Sequence, residues 1–213
     1  MKTLLLLLFT TSLIFATTIN ESLLKVHATL VPKISLMDYK FKEKIKNGTI
    51  TIAIMYNNSE YKDAKSLKKK IDARYKNGIK SFKVNSILAP YSSVSKTDAN
   101  IYYLFPTDKK SIQMSIKQAY KNHALTFSYL TEDLKYGVMI SLSISKKIKP
   151  ILNLNAIRTN EITFRPVLID ISNIYVHNPS SSLNKLKTRN MNLFQILIAK
   201  SNSIKKIVEF RYI

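Results

Sequence analysis

Residues 124–175 decide the fold: Ala124-Leu-Thr-Phe-Ser-Tyr129, a Tyr136-Gly137 turn, Val138-Met-Ile-Ser-Leu-Ser-Ile144, Ile151-Leu-Asn-Leu-Asn-Ala156, then Phe164-Arg-Pro-Val-Leu-Ile-Asp-Ile-Ser-Asn-Ile-Tyr175. Short β-branched and aromatic runs between turn residues read as strands, and a longer run with apolar residues three and four apart reads as a helix. The stretch is therefore expected to hold three strands and a buried helix. Val138–Ile144 and Lys149–Leu154 should pair antiparallel at one edge of a sheet. Thr163 is the expected cap of the helix, Pro166 falls in its first turn where a missing donor costs little, and Phe164, Val167, Leu168, Ile171, Ile174 and Tyr175 form its apolar stripe.

The segments before this stretch alternate in the same way. Asn20 can cap a helix carrying Leu23, His27, Leu30, Ile34 and Met37, with Pro32 expected to kink or divide it. His27 on that stripe reads as a packed, hydrogen-bonded histidine, since no second metal ligand stands near it in sequence. Thr49–Tyr56 is a strand with Ile50, Ile52, Ile54 and Tyr56 on one side. Lys62–Tyr75 is a helix with Ala64, Leu67, Ile71 and Tyr75 on one stripe, ended by Asn77-Gly78, and Ser81–Leu88 is the next strand. Pro90–Asn100 reads as polar loop. Ile101–Phe105 is a strand, Lys109–Asn122 a helix with Ile112, Ile116, Ala119 and Tyr120, and Ala124–Tyr129 a strand again. Such alternation predicts an α/β domain: a mostly parallel sheet flanked by helices on both faces, a Rossmann-like three-layer arrangement with an antiparallel edge pair.

Composition bounds the function. The 213 residues include 34 Lys and Arg against 13 Asp and Glu, a formal charge of +21. A field of that sign attracts anionic lipid, polysaccharide or nucleic acid, but the lysines are spread through nearly every segment, as on a solvated basic surface, and no nucleic-acid-binding motif accompanies them. Cysteine is absent, so disulfides, thiolate metal sites and a cysteine nucleophile are excluded. Lys2, the apolar run Leu4–Phe15 and the small residues from Ala16 have the form of a signal peptide, expected to span residues 1–16 and to export the chain. The domain is then expected over 20–176. Residues 177–213 open with His-Asn-Pro-Ser-Ser-Ser and carry seven basic residues against Glu209, which reads as a basic C-terminal extension that docks on the domain, touches an anionic membrane surface or stays loose.

Little in the sequence carries chemistry. Only Gly48, Gly78 and Gly137 are glycine, so there is no Gly-rich phosphate loop, and no Gly-x-Ser-x-Gly turn is present. His27, His123 and His177 lack the spacing of a zinc pair, and Glu132-Asp133 reads as a turn or helix cap. Asn47-Gly48-Thr49 and Asn57-Asn58-Ser59 match glycosylation acceptors but read as turns. No cofactor, metal or catalytic residue is expected. Ser128, Asn153, Asn155 and Arg158, polar groups at predicted strand ends, are candidates to line an exposed edge facing a partner or ligand; a turn or cap role is the alternative for each.

The order of segments from Ser22 to Tyr175 resembles the YfiR/HmsC family of exported bacterial regulators. The likeness lies in a helix directly after the signal peptide, Thr51-Ile-Ala-Ile54, Ala99-Asn-Ile-Tyr-Tyr-Leu104, Leu125-Thr-Phe-Ser128, Gly137-Val-Met-Ile140, Asn153-Leu-Asn-Ala156, and Ile162-Thr-Phe164 leading into Val167-Leu168. It implies a non-catalytic periplasmic α/β domain that binds and restrains the periplasmic part of an inner-membrane signalling protein, of the cyclic-di-GMP cyclase or sensor-kinase type. Relatives in the family use paired cysteines, so redox control of that kind is not expected here, and the basic extension has no counterpart in the family. Two other functions remain open: a periplasmic small-ligand-binding domain using the crevice at the strand ends, and a basic protein binding anionic lipid or polysaccharide. A second copy of the chain is a further candidate partner, and nucleic acid is not expected.

Overall fold

In the computed structural model, which describes residues 19–144 and 147–176, one seven-stranded sheet organises the chain, in the order β2-β1-β3-β4-β5-β6-β7. The strands are β1 (Thr49–Tyr56), β2 (Lys83–Pro90), β3 (Ile101–Leu104), β4 (Leu125–Ser128), β5 (Ile140–Ile144), β6 (Ile148–Leu152) and β7 (Asn173–Ile174). Every neighbouring pair is parallel except β5 with β6. The helices are α1 (Glu21–Ser35), α2 (Tyr61–Arg74), α3 (Lys109–Lys121), α4 (Leu154–Thr159) and α5 (Pro166–Ile171). The expected α/β architecture with an antiparallel pair near one edge is what forms.

The side-chain period of two divides the core. Ile52 and Ile54 of β1 lie beside Ile101 and Tyr103 of β3, which lie beside Leu125 and Phe127 of β4. These face α1 and α2, whose Leu24, Ala28, Val31, Leu67 and Ile71 complete that layer. On the other face, Ala53, Met55, Tyr102 and Leu104 pack with Ile112, Ile116 and Ala119 of α3. The chain moves from β1 to β2 in one direction across the sheet and from β3 to β4 in the other. Crossovers of one hand then place α2 and α3 on opposite faces.

Four local expectations need correction. Pro32 lies inside α1, yet Glu21–Ser35 is a single helix. It falls in the last turn, where little helix remains to be broken, and its ring is buried against the core. The segment read as polar loop after β2 contains a 3-10 helix, Tyr91–Lys96, and Tyr91, Val94 and Ala99 are buried in the α3-side layer. The strand expected over residues 81–88 runs two residues later, because Ile79 and Phe82 first close a tight turn whose backbone groups pair with each other.

The largest correction is to the helix of residues 163–175. Residues 163–165 are extended instead of helical, held by Tyr39 N–H donating to Thr163 O and Arg165 N–H donating to Met37 O, both at 2.9 Å. Arg165, not Thr163, takes the cap position, with Pro166 in the first turn as expected. The helix stops at Ser172 because Asn173 and Ile174 pair with Ile151 and Leu152 as β7. Leu168 is buried, but Val167, Ile169, Ile171 and Ile174 are exposed, so α5 is not the core helix its composition suggests. The expected signal peptide, and the short elements expected within the basic extension, lie outside the described residues.

Candidate functional site

In an open parallel sheet, ligands bind beyond the carboxyl ends of strands where the winding direction reverses, here between β1 and β3. That position is bridged. Asn57 Nδ2 donates to Thr107 Oγ1 at 2.8 Å, joining the segments that leave the two strands. Beneath them, buried Tyr91 donates its hydroxyl to Phe105 O at 2.6 Å, and Phe105 N–H bonds Met55 O at 3.1 Å. Asp108, exposed, caps α3 by accepting from Ser111 N–H at 3.0 Å, and these hydrogen bonds hold its carboxyl below the usual range.

At the end of β4, Ser128 Oγ donates to the buried carboxylate of Asp133 and accepts from Leu130 N–H at 3.1 Å. Burial raises the Asp133 pKa, and the Ser128 hydrogen bond works against that rise. A serine beside a carboxylate invites comparison with a nucleophile relay, but among the described residues no histidine hydrogen-bonds to either of them. His27 lies on the α1 side of the sheet, whereas Ser128 and Asp133 lie on the α3 side with the 3-10 helix Thr131–Tyr136.

His27 sits in an aromatic box. Its ring stacks on Tyr129 (centroids 5.8 Å apart) and meets Tyr103 edge-on at 5.5 Å, and Phe105 packs against both tyrosines. Its Nδ1 is 2.9 Å from Tyr103 Oη, and its Nε2 has no hydrogen-bond partner. The Tyr103 hydroxyl has no other partner, so it donates to Nδ1 and leaves the imidazole proton on Nε2. Burial pushes the His27 pKa down to about 4 and the Tyr103 pKa well above that of a free tyrosine. Tyr129 Oη accepts from Asn20 N–H at 3.0 Å, which ties the box to the start of α1. The sequence marked His27 as a core residue, but its pairing with Tyr103, 76 positions later, has no local signal.

The four residues expected at an exposed edge divide in two. Ser128 and Asn153 are buried; Asn153 caps α4, accepting from Ala156 N–H at 3.1 Å and donating to Leu134 O at 2.9 Å. Asn155 and Arg158 are exposed on α4. They do not converge with Ser128. What the described residues do expose is apolar: Val167 and Ile171, one turn apart on α5 and each just over half exposed, with Ile169 and Ile174 at 40%. Beside them, two-residue β7 ends the sheet and leaves its outer edge unpaired among the described residues. Exposed Arg165 and Asp170 lie on the same segment. Among the described residues no helix is long and apolar enough to cross a membrane, and no cluster of His, Asp and Glu suits a metal ion.

The sequence matches no known family model and no curated protein. Its fold does match solved structures. A conserved domain protein from Vibrio cholerae O1 biovar El Tor superposes with a TM-score of 0.51 at 16% identity, over 71% of this chain and 59% of that one. An ABC domain from Streptococcus pneumoniae, solved in complex with L-Trp, superposes with a TM-score of 0.50 at 10% identity, over 72% of this chain and 60% of that one. The chain thus spans about three-fifths of each. At these identities the likeness shows a shared α/β fold and nothing about ligand or partner.

Proposed function

We propose that this protein is a non-catalytic regulator that binds the periplasmic part of an inner-membrane signalling protein, of the cyclase or sensor-kinase type, and restrains it. The observation that carries this reading is the exposed apolar face of α5 and β7. Val167 and Ile171 stand one helical turn apart and each is just over half exposed, Ile169 and Ile174 are exposed on the same short segment, and exposed apolar groups beside an open sheet edge are a feature of protein-binding surfaces. Exposed Arg165 and Asp170 give polar groups of both signs beside these apolar side chains, as at the rim of a protein-binding surface. The class of partner is taken from the resemblance of the segment order to that of the YfiR/HmsC exported regulators.

Restraint of this kind needs the regulator to prefer one state of its partner; a tenfold shift in that equilibrium requires about 1.4 kcal/mol of differential binding. Co-purification from solubilised membranes of the source cell tests the reading. A membrane signalling protein should be recovered with the native chain and lost with Val167→Asp/Ile171→Asp; equal recovery with both chains would contradict the assignment of the surface.

A further inference from the structure

Two hollows lie next to each other along the outer side of α1, far in character from the α5–β7 face. The first, about 470 Å³, is lined by Lys25, Ala28, Thr29, Lys70, Ala73 and Arg74. Small side chains leave the space, and three cations surround it. The second, about 330 Å³, is lined by Lys25, Val26, Thr29, Leu30 and Ile148. Lys25 and Thr29 border both, so a cationic hollow and an apolar one share a wall.

The polar groups between them are already used. Thr29 Oγ1 donates to Lys25 O at 3.0 Å and Thr29 O accepts from Tyr75 Oη at 2.6 Å, which leaves the threonine methyl to the surface. Lys70 is paired with Glu21 at 2.6 Å, but Lys25 and Arg74 form no ion pair with a described residue. The rim therefore keeps two uncompensated positive charges, and exposed Lys62, Lys65 and Lys69 of α2 add to the field.

We infer that these adjoining hollows bind a single-chain anionic amphiphile that lies across their shared rim. Its carboxylate or phosphate head lies at Lys25 and Arg74, and its hydrocarbon chain lies along Val26, Leu30 and Ile148. A free inorganic anion would leave the apolar half unused, and a neutral hydrocarbon would leave the cations unused. A flat bilayer would not fill concave hollows, whereas one acyl chain does. Arg supplies a two-pronged donor for such a head, and each methylene removed from water strengthens binding about fourfold.

Dodecanoate, kept below its micelle concentration, tests this by calorimetry and by backbone-amide NMR on the purified full chain. The expected result is saturable binding with shifts confined to residues 25–30, 70–74 and around 148. Decanoate should bind on the order of tenfold more weakly, in keeping with two methylenes lost. Lys25→Gln/Arg74→Gln should weaken dodecanoate at least tenfold while the chain keeps a cooperative melt, since both residues are exposed. Dodecanol binding as tightly as dodecanoate would overturn the inference, as would shifts elsewhere, an absence of saturable binding, or binding to anionic vesicles without binding to the monomer. The variants leave α5 and β7 untouched, so failure here does not bear on the partner surface.

Discussion

Acidification should weaken this fold through His27. Its ring is 1% exposed and enclosed by Tyr103, Tyr129 and Phe105, and its pKa falls from 6.5 to about 4 through burial, with no charged side chain contributing. Burial raises the pKa of the facing Tyr103 hydroxyl, so it adds no charge in this range. The unfolded chain then takes up a proton near pH 6.5 that the folded chain refuses until about pH 4. Stability is complete above the unfolded pKa and is lost as pH falls through the window between the two values. The linkage relation gives a loss of about 2 kcal/mol by pH 5 and about 3 kcal/mol by pH 4. Asp133 acts in the opposite sense: its raised pKa adds relative stability on the acid side, so the net slope at the lowest pH is smaller than the His27 contribution alone. Urea unfolding at pH 7.5, 6 and 5 measures the slope. His27→Phe keeps a ring in the box and should flatten it to under about 0.5 kcal/mol, while costing about 1–3 kcal/mol at pH 7 for the unpartnered Tyr103 hydroxyl. The same slope in that variant, or a folded-state His27 resonance titrating near pH 6.5, would refute the reasoning.

Three further outcomes follow from particular contacts. Gly78→Ala should lower stability by roughly 2 kcal/mol or more, because Gly78 has φ +78° and an added Cβ would meet Phe82 O, whereas Gly48→Ala, with φ +65° and open space around it, should cost only about 1 kcal/mol; paired thermal melts test the difference. Asn20→Ala removes the acceptor for Ser22 and Leu23 N–H and should cost about 1 kcal/mol, seen as faster amide exchange in the first turn of α1. Ser128→Ala strands the buried Asp133 carboxylate and the Leu130 N–H and should cost about 1–3 kcal/mol, most strongly at pH values where Asp133 is ionised, as urea titrations will show.

The repeating part of the fold was legible because its signals are local. β1, α2, β3, α3 and β4 each announce themselves by an apolar period of two or near 3.6, and their ends fall at Asn-Gly, Asp108 or His123, so the structure moves each boundary by a residue or two at most. Residues 163–175 carry no such decisive signal, because Ile, Leu and Val at three- and four-residue spacing also suit a short helix followed by a strand. What chooses between them is distant: Met37 and Tyr39 pair with residues 163–165, and Ile151 and Leu152 pair with β7. The same limit explains Asn153. A polar residue at a strand end can face solvent or cap a helix, and only the position of Leu134 O decides it. The aromatic box is legible residue by residue but not as a box, and the groove beside Lys25 and Arg74 exists only once α1, α2 and β6 are packed.

The proposed regulatory role stands or falls on what touches α5. A photo-activated cross-linking side chain placed at Val167, and as a control at Lys117 on the opposite layer, reports this directly in intact cells. The account predicts a cross-link from position 167 to the periplasmic part of a membrane signalling protein, reduced on adding Ile171→Asp, with none from position 117. A cross-link to the same protein from both positions, or none from position 167 in cells that carry the chain at its natural level, would contradict it.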